Sequence, residues 1–237
     1  MPVLLAALAS LAVTAGASAA APPAADADAL VRRCVEAYGG NAAIAKAARA
    51  RQEGTVTSLV LHPGEKGRMA RAYERPGRLR VEIAYPGGSG EVRVLQGARG
   101  WRDGEEVSGP RLQAMILQVA RLDLPARLSS PGARVASAGT LELGGKTLRV
   151  LAFEPAPGLV VEVAIDPASG RILRSRGAAR DGTPGLDFVT TYSEFRTISG
   201  VLVAMREESW ANGRTTGETV LEKVEFPAAL PDGMFAP

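Results

Sequence analysis

Three stretches of this 237-residue chain carry residue types that do chemistry. GTLELGGKT (139–147) ends in the Gly-Lys-Thr of a phosphate-binding loop, whose backbone amides and lysine would cradle a polyphosphate. Its spacing fails, because five residues rather than four separate Gly139 from Gly145-Lys146-Thr147. Its context fails too: a phosphate loop opens a helix, whereas TLRVLAF after it reads as a strand, so a hairpin turn is expected. His62 is the single histidine and lies beside Pro63 and Gly64 in a turn. A Ser-His-Asp triad would have to use it, and nothing local supports one. Glu105 and Glu106 are adjacent, so on extended backbone they face opposite ways and make a poor acid–base pair.

One histidine and one cysteine cannot build a His/Cys metal site. Neither a G-x-S-x-G elbow nor an H-E-x-x-H helix occurs. No enzymatic activity and no cofactor are expected. Cys34, being alone, excludes an internal disulfide; at helical spacing from Leu30 and Tyr38 it reads as a small buried apolar residue. The net charge is only +3, and Arg alternates with Glu along the strands (Arg80 with Glu82, Glu91 with Arg93). That pattern predicts a mixed, solvated outer face and not the basic stripe that nucleic acid requires.

What remains is apolar surface, and the elements that carry it are mostly short strands. TVTSLVL (55–61), RLRVEIAY (78–85), EVRVLQG (91–97), TLRVLAFE (147–154), LVVEVAID (159–166), DFVTTYSEF (187–195), VLVAMREESW (201–210) and TVLEKVEF (219–226) follow one another, most of them separated by Gly, Pro, Asp or Asn. Such spacing predicts a largely antiparallel sheet, and a sheet of this size curls. Hairpin turns are expected at Gly144-Gly145, at 166–170 and at Asn212-Gly213, while RDGEEVSG (102–109) reads as a polar loop and 176–185 as a long exposed one. Asp26 or Asp28 is the expected cap of a first helix running to about Tyr38, stopped by Gly39-Gly40; Asn41 is the expected cap of a second.

Between the two sets of strands lies one strongly apolar helix, 110–122. Leu112, Met115, Ile116, Val119 and Leu122 fall on one face, leaving Arg111, Gln113, Gln118 and Arg121 as the wet side. The fold class expected is mainly β (α+β): a strongly curved antiparallel sheet forming an open half-barrel, with N-terminal helices and this inserted helix covering its mouth. Met115, Ile116, Val119 and Leu122 on the helix, with Val81, Ile83, Val92, Val94, Val161, Val163, Val201 and Val203 on strands, are the candidate lining of an apolar cavity. Sparse aromatics, 5% of the chain, would leave that interior incompletely filled and open to acyl chains, each buried CH₂ contributing about 0.8 kcal/mol.

Residues 1–20 are uncharged, have an apolar centre and end near Ala17-Ser18-Ala19, which fits an A-x-A cleavage pattern. They read as a signal peptide without the usual basic start, followed by a flexible lead-in, APPAADA (21–27), and one domain over 21–237. Export without disulfides suits a bacterial periplasm.

Three segments carry a family resemblance. CVEAYGGNAAIAKAARARQEGTV (34–56) resembles an opening helix, Gly-Gly break, short helix and first strand; VEVAIDPASGRILRSR (161–176) resembles a hairpin with Asp-Pro at the strand end; TYSEFRTISGVLVAMREESW (191–210) is similar to a D-Y-R-x-x-x-G-x-x-x-P segment. LPDGMF (230–235) resembles the usual C-terminal close. Together they resemble the LolA-like family of periplasmic lipoprotein carriers, in the broad sense that includes RseB-type sensor domains. Glu194-Phe195-Arg196 replaces the typical Asp-Tyr-Arg, and Ala204 stands in place of the proline. The resemblance implies an open half-barrel, exported, that binds lipid or acylated lipoprotein without a cofactor, or else recognises a protein partner in the envelope. Peripheral contact with membrane components and a monomeric state are expected with it. No single functional residue is carried over.

Overall fold

The computed structural model describes residues 24–60 and 62–237. The signal peptide read at 1–20 and the first residues of the lead-in lie outside the described residues. Thirteen strands form one antiparallel sheet: β1 (Arg49–Ser58), β2 (Lys66–Glu74), β3 (Arg78–Ala84), β4 (Gly90–Gln96), β5 (Arg99–Arg102), β6 (Glu105–Val107), β7 (Ala136–Leu143), β8 (Lys146–Phe153), β9 (Leu159–Ile165), β10 (Ile172–Ala179), β11 (Asp187–Ile198), β12 (Val201–Ala211) and β13 (Arg214–Glu225). Their order, β6-β5-β4-β3-β2-β1-β13-β12-β11-β10-β9-β8-β7, is two meanders joined where β1 pairs with β13. The sheet is open, as expected, because its edge strands β6 and β7 do not meet.

That topology decides where the inserted helix goes. The chain must travel from one edge of the sheet, β6, to the other, β7, and the helices α3 (Gly109–Leu122) and α4 (Leu124–Ser129) make that crossing. α3 follows the sequence reading within one residue, with Pro110 in its first turn. The sheet receives it at residues lacking a side chain: a Cβ on Gly177 would meet Leu117 at 3.1 Å, and one on Gly100 would meet Leu112 and Met115 at 3.0 and 3.1 Å.

Two apolar clusters flank α3. Leu117, Ala120, Leu124 and Leu128 join α1 (Ala24–Ala37) and strands β8–β10 in the first, around Cys34, Val161, Val163 and Ile165. Met115 and Val119 join β1–β4, β6, β12 and β13 in the second, with Leu79, Val81, Leu95 and Met205. α3 is thus a wedge between two half-cores. Cys34 is fully buried, and burial pushes its thiol up to about 12, so it is an inert core residue.

The segments that carry the family resemblance meet in space. α1 runs from Ala24, so Asp26 and Asp28 lie inside it and the last residues of the expected lead-in are helical. α2 (Gly40–Lys46) is preceded by Gly39, which takes the left-handed conformation at the position expected of Asn41. A side chain on Gly39 would strike the Gly200 carbonyl at 2.1 Å, and one on Gly170 would strike the Arg33 carbonyl at 2.6 Å. The end of α1 is therefore clamped between the β9–β10 and β11–β12 turns, with Arg33 donating to the Ala168 carbonyl at 3.0 Å. Asp166 shapes the first of these turns, accepting from the Ala168 amide, the Ser169 hydroxyl and Lys146, and those bonds hold its carboxyl down at about 2. Glu194 takes a left-handed φ between the Ser193–Arg206 and Phe195–Ala204 pairs, whose register continues unshifted across it.

Other departures have simple causes. Residues 102–109 are not a loop: β5 and β6 form a hairpin through Asp103-Gly104, both left-handed, the turn type whose twist matches paired strands. β2 was hidden because GRMARAYE mixes charge and alanine with no run of β-formers. The exposed loop begins only after Ala179, since β10 occupies the start of that polar stretch. α4, absent from the sequence reading, follows Asp123 directly, with Pro125 in its first turn. Gly144-Gly145 is the two-residue turn between β7 and β8, so the phosphate-loop look-alike is a hairpin.

Candidate functional site

The second half-core is not filled. A cavity of about 600 Å³ lies between the concave face of β1–β4 and β11–β13 on one side and α3 on the other. Of the twelve residues expected to line it, Val81, Ile83, Met115, Leu122, Val201 and Val203 do. Val119 is packed in the second cluster beside it, and Ile116 is shared by both clusters. Val161 and Val163 are fully buried under α3 in the first half-core, away from the opening. Val92 and Val94 lie on the opposite face of the sheet, with Trp101 and the C-terminal Met234 and Phe235.

The reason for this last displacement is register. Val81 of β3 pairs with Arg71 of β2 and with Arg93 of β4, and directly paired residues share a face. Arg71 and Arg93 therefore face inward beside Val81, while Val92 and Val94 face out. This corrects the reading of Glu91 and Arg93 as part of a solvated outer face: both line the cavity, whereas Arg80 and Glu82, bonded at 2.5 Å, are on the outside as expected.

The same correction applies to α3. Its apolar positions Met115, Leu117, Val119 and Ala120 are buried, and its polar stripe turns toward the cavity: Arg111, Ala114, Gln118 and Arg121 all line it. The spacing 111, 114, 118, 121 is one face of a helix. Arg71 is the most buried of these arginines, donating to both Glu207 oxygens at 2.8 and 3.3 Å and to Gln52 at 2.5 Å. Arg93 donates to Gln118 at 3.0 Å and lies 3.4 Å from Glu91, which Arg102 holds more closely at 2.9 Å. Arg121 donates to the Leu117 and Phe188 carbonyls and, at 3.0 Å, to the Thr190 hydroxyl. Burial pushes the guanidinium groups of Arg93 and Arg121 below the usual arginine range. Tyr192, bonded to Ser175 at 2.7 Å, completes this polar wall.

A second polar knot closes the far end of the site. Arg75 donates to Asp123, with nitrogen–oxygen distances of 3.0 Å, and to the Ile44 carbonyl at 3.0 Å, tying the β2–β3 corner to the α3–α4 junction and to α2. Asp123 is 6% exposed, and burial pushes its carboxyl up despite the arginine. His62 stacks on Tyr85 with ring centres 4.0 Å apart and lies 3.8 Å from Glu65, outside any cluster of nucleophiles. Among the described residues no three His, Cys, Asp or Glu side chains converge on one point. Leu59 and Val60, exposed at 49% and 59%, follow directly on Ser58, which lines the cavity.

No family model matches the sequence, and no curated protein matches it significantly. Solved structures do. A LolA superfamily protein from Nitrosomonas europaea superposes with a TM-score of 0.57 at 13% identity, over 89% of this chain and 97% of that one. A domain assigned to outer-membrane lipoprotein sorting from Vibrio parahaemolyticus gives 0.55 at 13%, over 89% and 97%. A DUF1329 family protein from Desulfovibrio piger gives 0.56 at 10%, over 88% and 96%. The chain has the LolA-like fold, as its three degenerate motifs implied.

Proposed function

We propose that the chain is an envelope carrier that shelters an acyl chain in the cavity beside α3, of the outer-membrane lipoprotein-sorting type. The observation that carries this reading is the unfilled half-core, about 600 Å³ with Val81, Ile83, Met115, Leu122, Val201 and Val203 in its wall. That volume lies within the range of roughly 300–1,000 Å³ typical of small-molecule sites. The likeness in fold to a lipoprotein-sorting domain supports the same class of cargo. Residues 1–20, read as a signal peptide, support a periplasmic location for the carrier.

Filling the space without disturbing the core tests this. Ala114 lies on the cavity side of α3 and is only half-buried. Ala114→Trp is expected to weaken uptake of a fluorescent acyl probe by about tenfold or more, since each displaced CH₂ forfeits about 0.8 kcal/mol of burial. The melting temperature should stay within a few degrees of the parent, because the added ring occupies space already present. Unchanged uptake by a folded Ala114→Trp protein would place the acyl chain somewhere else.

A further inference from the structure

The polar wall of the cavity is not electrically balanced, and the imbalance bears on the head of the ligand. Its lining holds three guanidinium groups that are not exposed, Arg71, Arg93 and Arg121, and two carboxylates, Glu91 and Glu207, with the exposed Arg102 also reaching Glu91. Three positive charges less two negative ones leave one in excess. Arg75 and Asp123 cancel each other at the far end, Glu218 is held by Arg206 at 2.9 Å, and Arg111 is exposed. Arg71 has its own carboxylate in Glu207.

Arg93 and Arg121 do not. Arg93 shares Glu91 with Arg102 and takes the longer of the two contacts, and its buried Nε has no acceptor at all. Arg121 bonds only to neutral oxygens, two carbonyls and a hydroxyl. A guanidinium with no carboxylate, as at Arg121, or with a shared one and an unmet donor, as at Arg93, is costly in a low-dielectric wall, and an anion entering the cavity reduces that cost. Both line the cavity, and Gln118, which bonds Arg93, lies one helical turn from Arg121 on α3. Guanidinium forks match carboxylate and phosphate oxygens alike. The lining also carries apolar side chains, Val81 and Ile83 on β3 and Val201 and Val203 on β12.

We infer that the cavity takes an amphiphile with an anionic head, a carboxylate or a phosphate, seated against the guanidinium groups of Arg121 and Arg93, with its chain along the apolar side chains of the lining. This deepens the carrier reading and rests on it.

The test is competition against a fluorescent acyl probe by hexadecanoate, hexadecyl phosphate and uncharged hexadecanol, at about pH 8 where the carboxylate is ionised. The parent protein should bind at least one of the anions about tenfold or more tightly than the alcohol, the scale of a charge-assisted hydrogen bond. Whichever anion wins identifies the head as carboxylate or phosphate. In Arg121→Gln the gap should shrink to about threefold or less while the affinity for hexadecanol stays the same, a change of ratio that loss of a merely structural bond to Leu117 would not produce. If Arg121→Gln does not fold, Arg93→Gln is read in the same way. Equal binding of all three competitors by the parent protein would overturn the anionic head and leave the carrier standing. Failure of all three to bind, hexadecanol included, would overturn the carrier reading and this inference with it. A wild-type ratio in both folded arginine variants would overturn the assignment to these residues.

Discussion

Val119→Asp is expected to leave no cooperatively folded domain. Val119 is 3% exposed and sits in the second half-core with Met115, Leu79, Leu95 and Met205. Its helical neighbours Leu117 and Ala120 are fully buried in the other half-core, so α3 has no free side on which to relax. A carboxylate at Val119 would be buried among hydrocarbon without a partner, a penalty of more than about 4 kcal/mol against a total stability of roughly 5–15 kcal/mol. Circular dichroism should show loss of the sheet signal together with the thermal transition. The opposite result, a variant with parental melting temperature and impaired ligand uptake alone, would make α3 a mobile cover and not a wall. The sequence reading cast α3 as a lid because its apolar stripe looked free to face a cavity. In the fold most of that stripe joins the two half-cores, Met115 and Leu122 also reaching the cavity, and the polar stripe lines the cavity with them.

Asp123→Ala is expected to cost about 3 kcal/mol, more than any surface ion pair in the molecule. Asp123 accepts both contacts from Arg75, and through it holds the β2–β3 corner and the end of α2 against the α3–α4 junction. Its side chain is 7% exposed and that of Arg75 is 25% exposed. Removing one partner of a buried pair leaves the other charge stranded, which is why the loss exceeds the net worth of the pair. Asp123→Asn keeps an acceptor for Arg75 and should lose only about 1 kcal/mol. Urea midpoints of the two variants, at equal slopes, separate these cases. Burial raises the Asp123 carboxyl, so the folded state holds that proton more tightly than the unfolded chain. The resulting stability is present at acid pH below the ordinary value of 3.8 and is withdrawn as pH rises through the elevated one. Asp123→Asn should therefore flatten the pH dependence of stability between the ordinary carboxyl value and the elevated one.

The sequence revealed the fold better than the site. Hairpin signals such as Asn212-Gly213 and Gly144-Gly145 are local, and each forms the turn that its residues require. The helix at 110–122 was equally plain from its period. What local patterns do not contain is register across strands. That Val81 shares a face with Arg71 and Arg93 follows from the pairing of β2, β3 and β4, which no single strand records. Val92 and Val94 read as interior by composition and are exterior by that pairing. Gln118 and Arg121 were visible as one face of α3, but a polar face is ordinarily a solvated one. Only the crossing from β6 to β7, which carries the helix through the inside of the curved sheet, turns that face onto a cavity. Glu207 could not be assigned to Arg71 from sequence, being 136 residues away.

The central claim is that this cavity holds an acyl chain, and native mass spectrometry addresses it most directly. The chain purified gently from a bacterial periplasm is expected to carry a lipid adduct, or, once stripped, to take up one equivalent of hexadecanoate or hexadecyl phosphate. A bare mass at purification, unchanged after incubation with these amphiphiles and with hexadecanol, would contradict it.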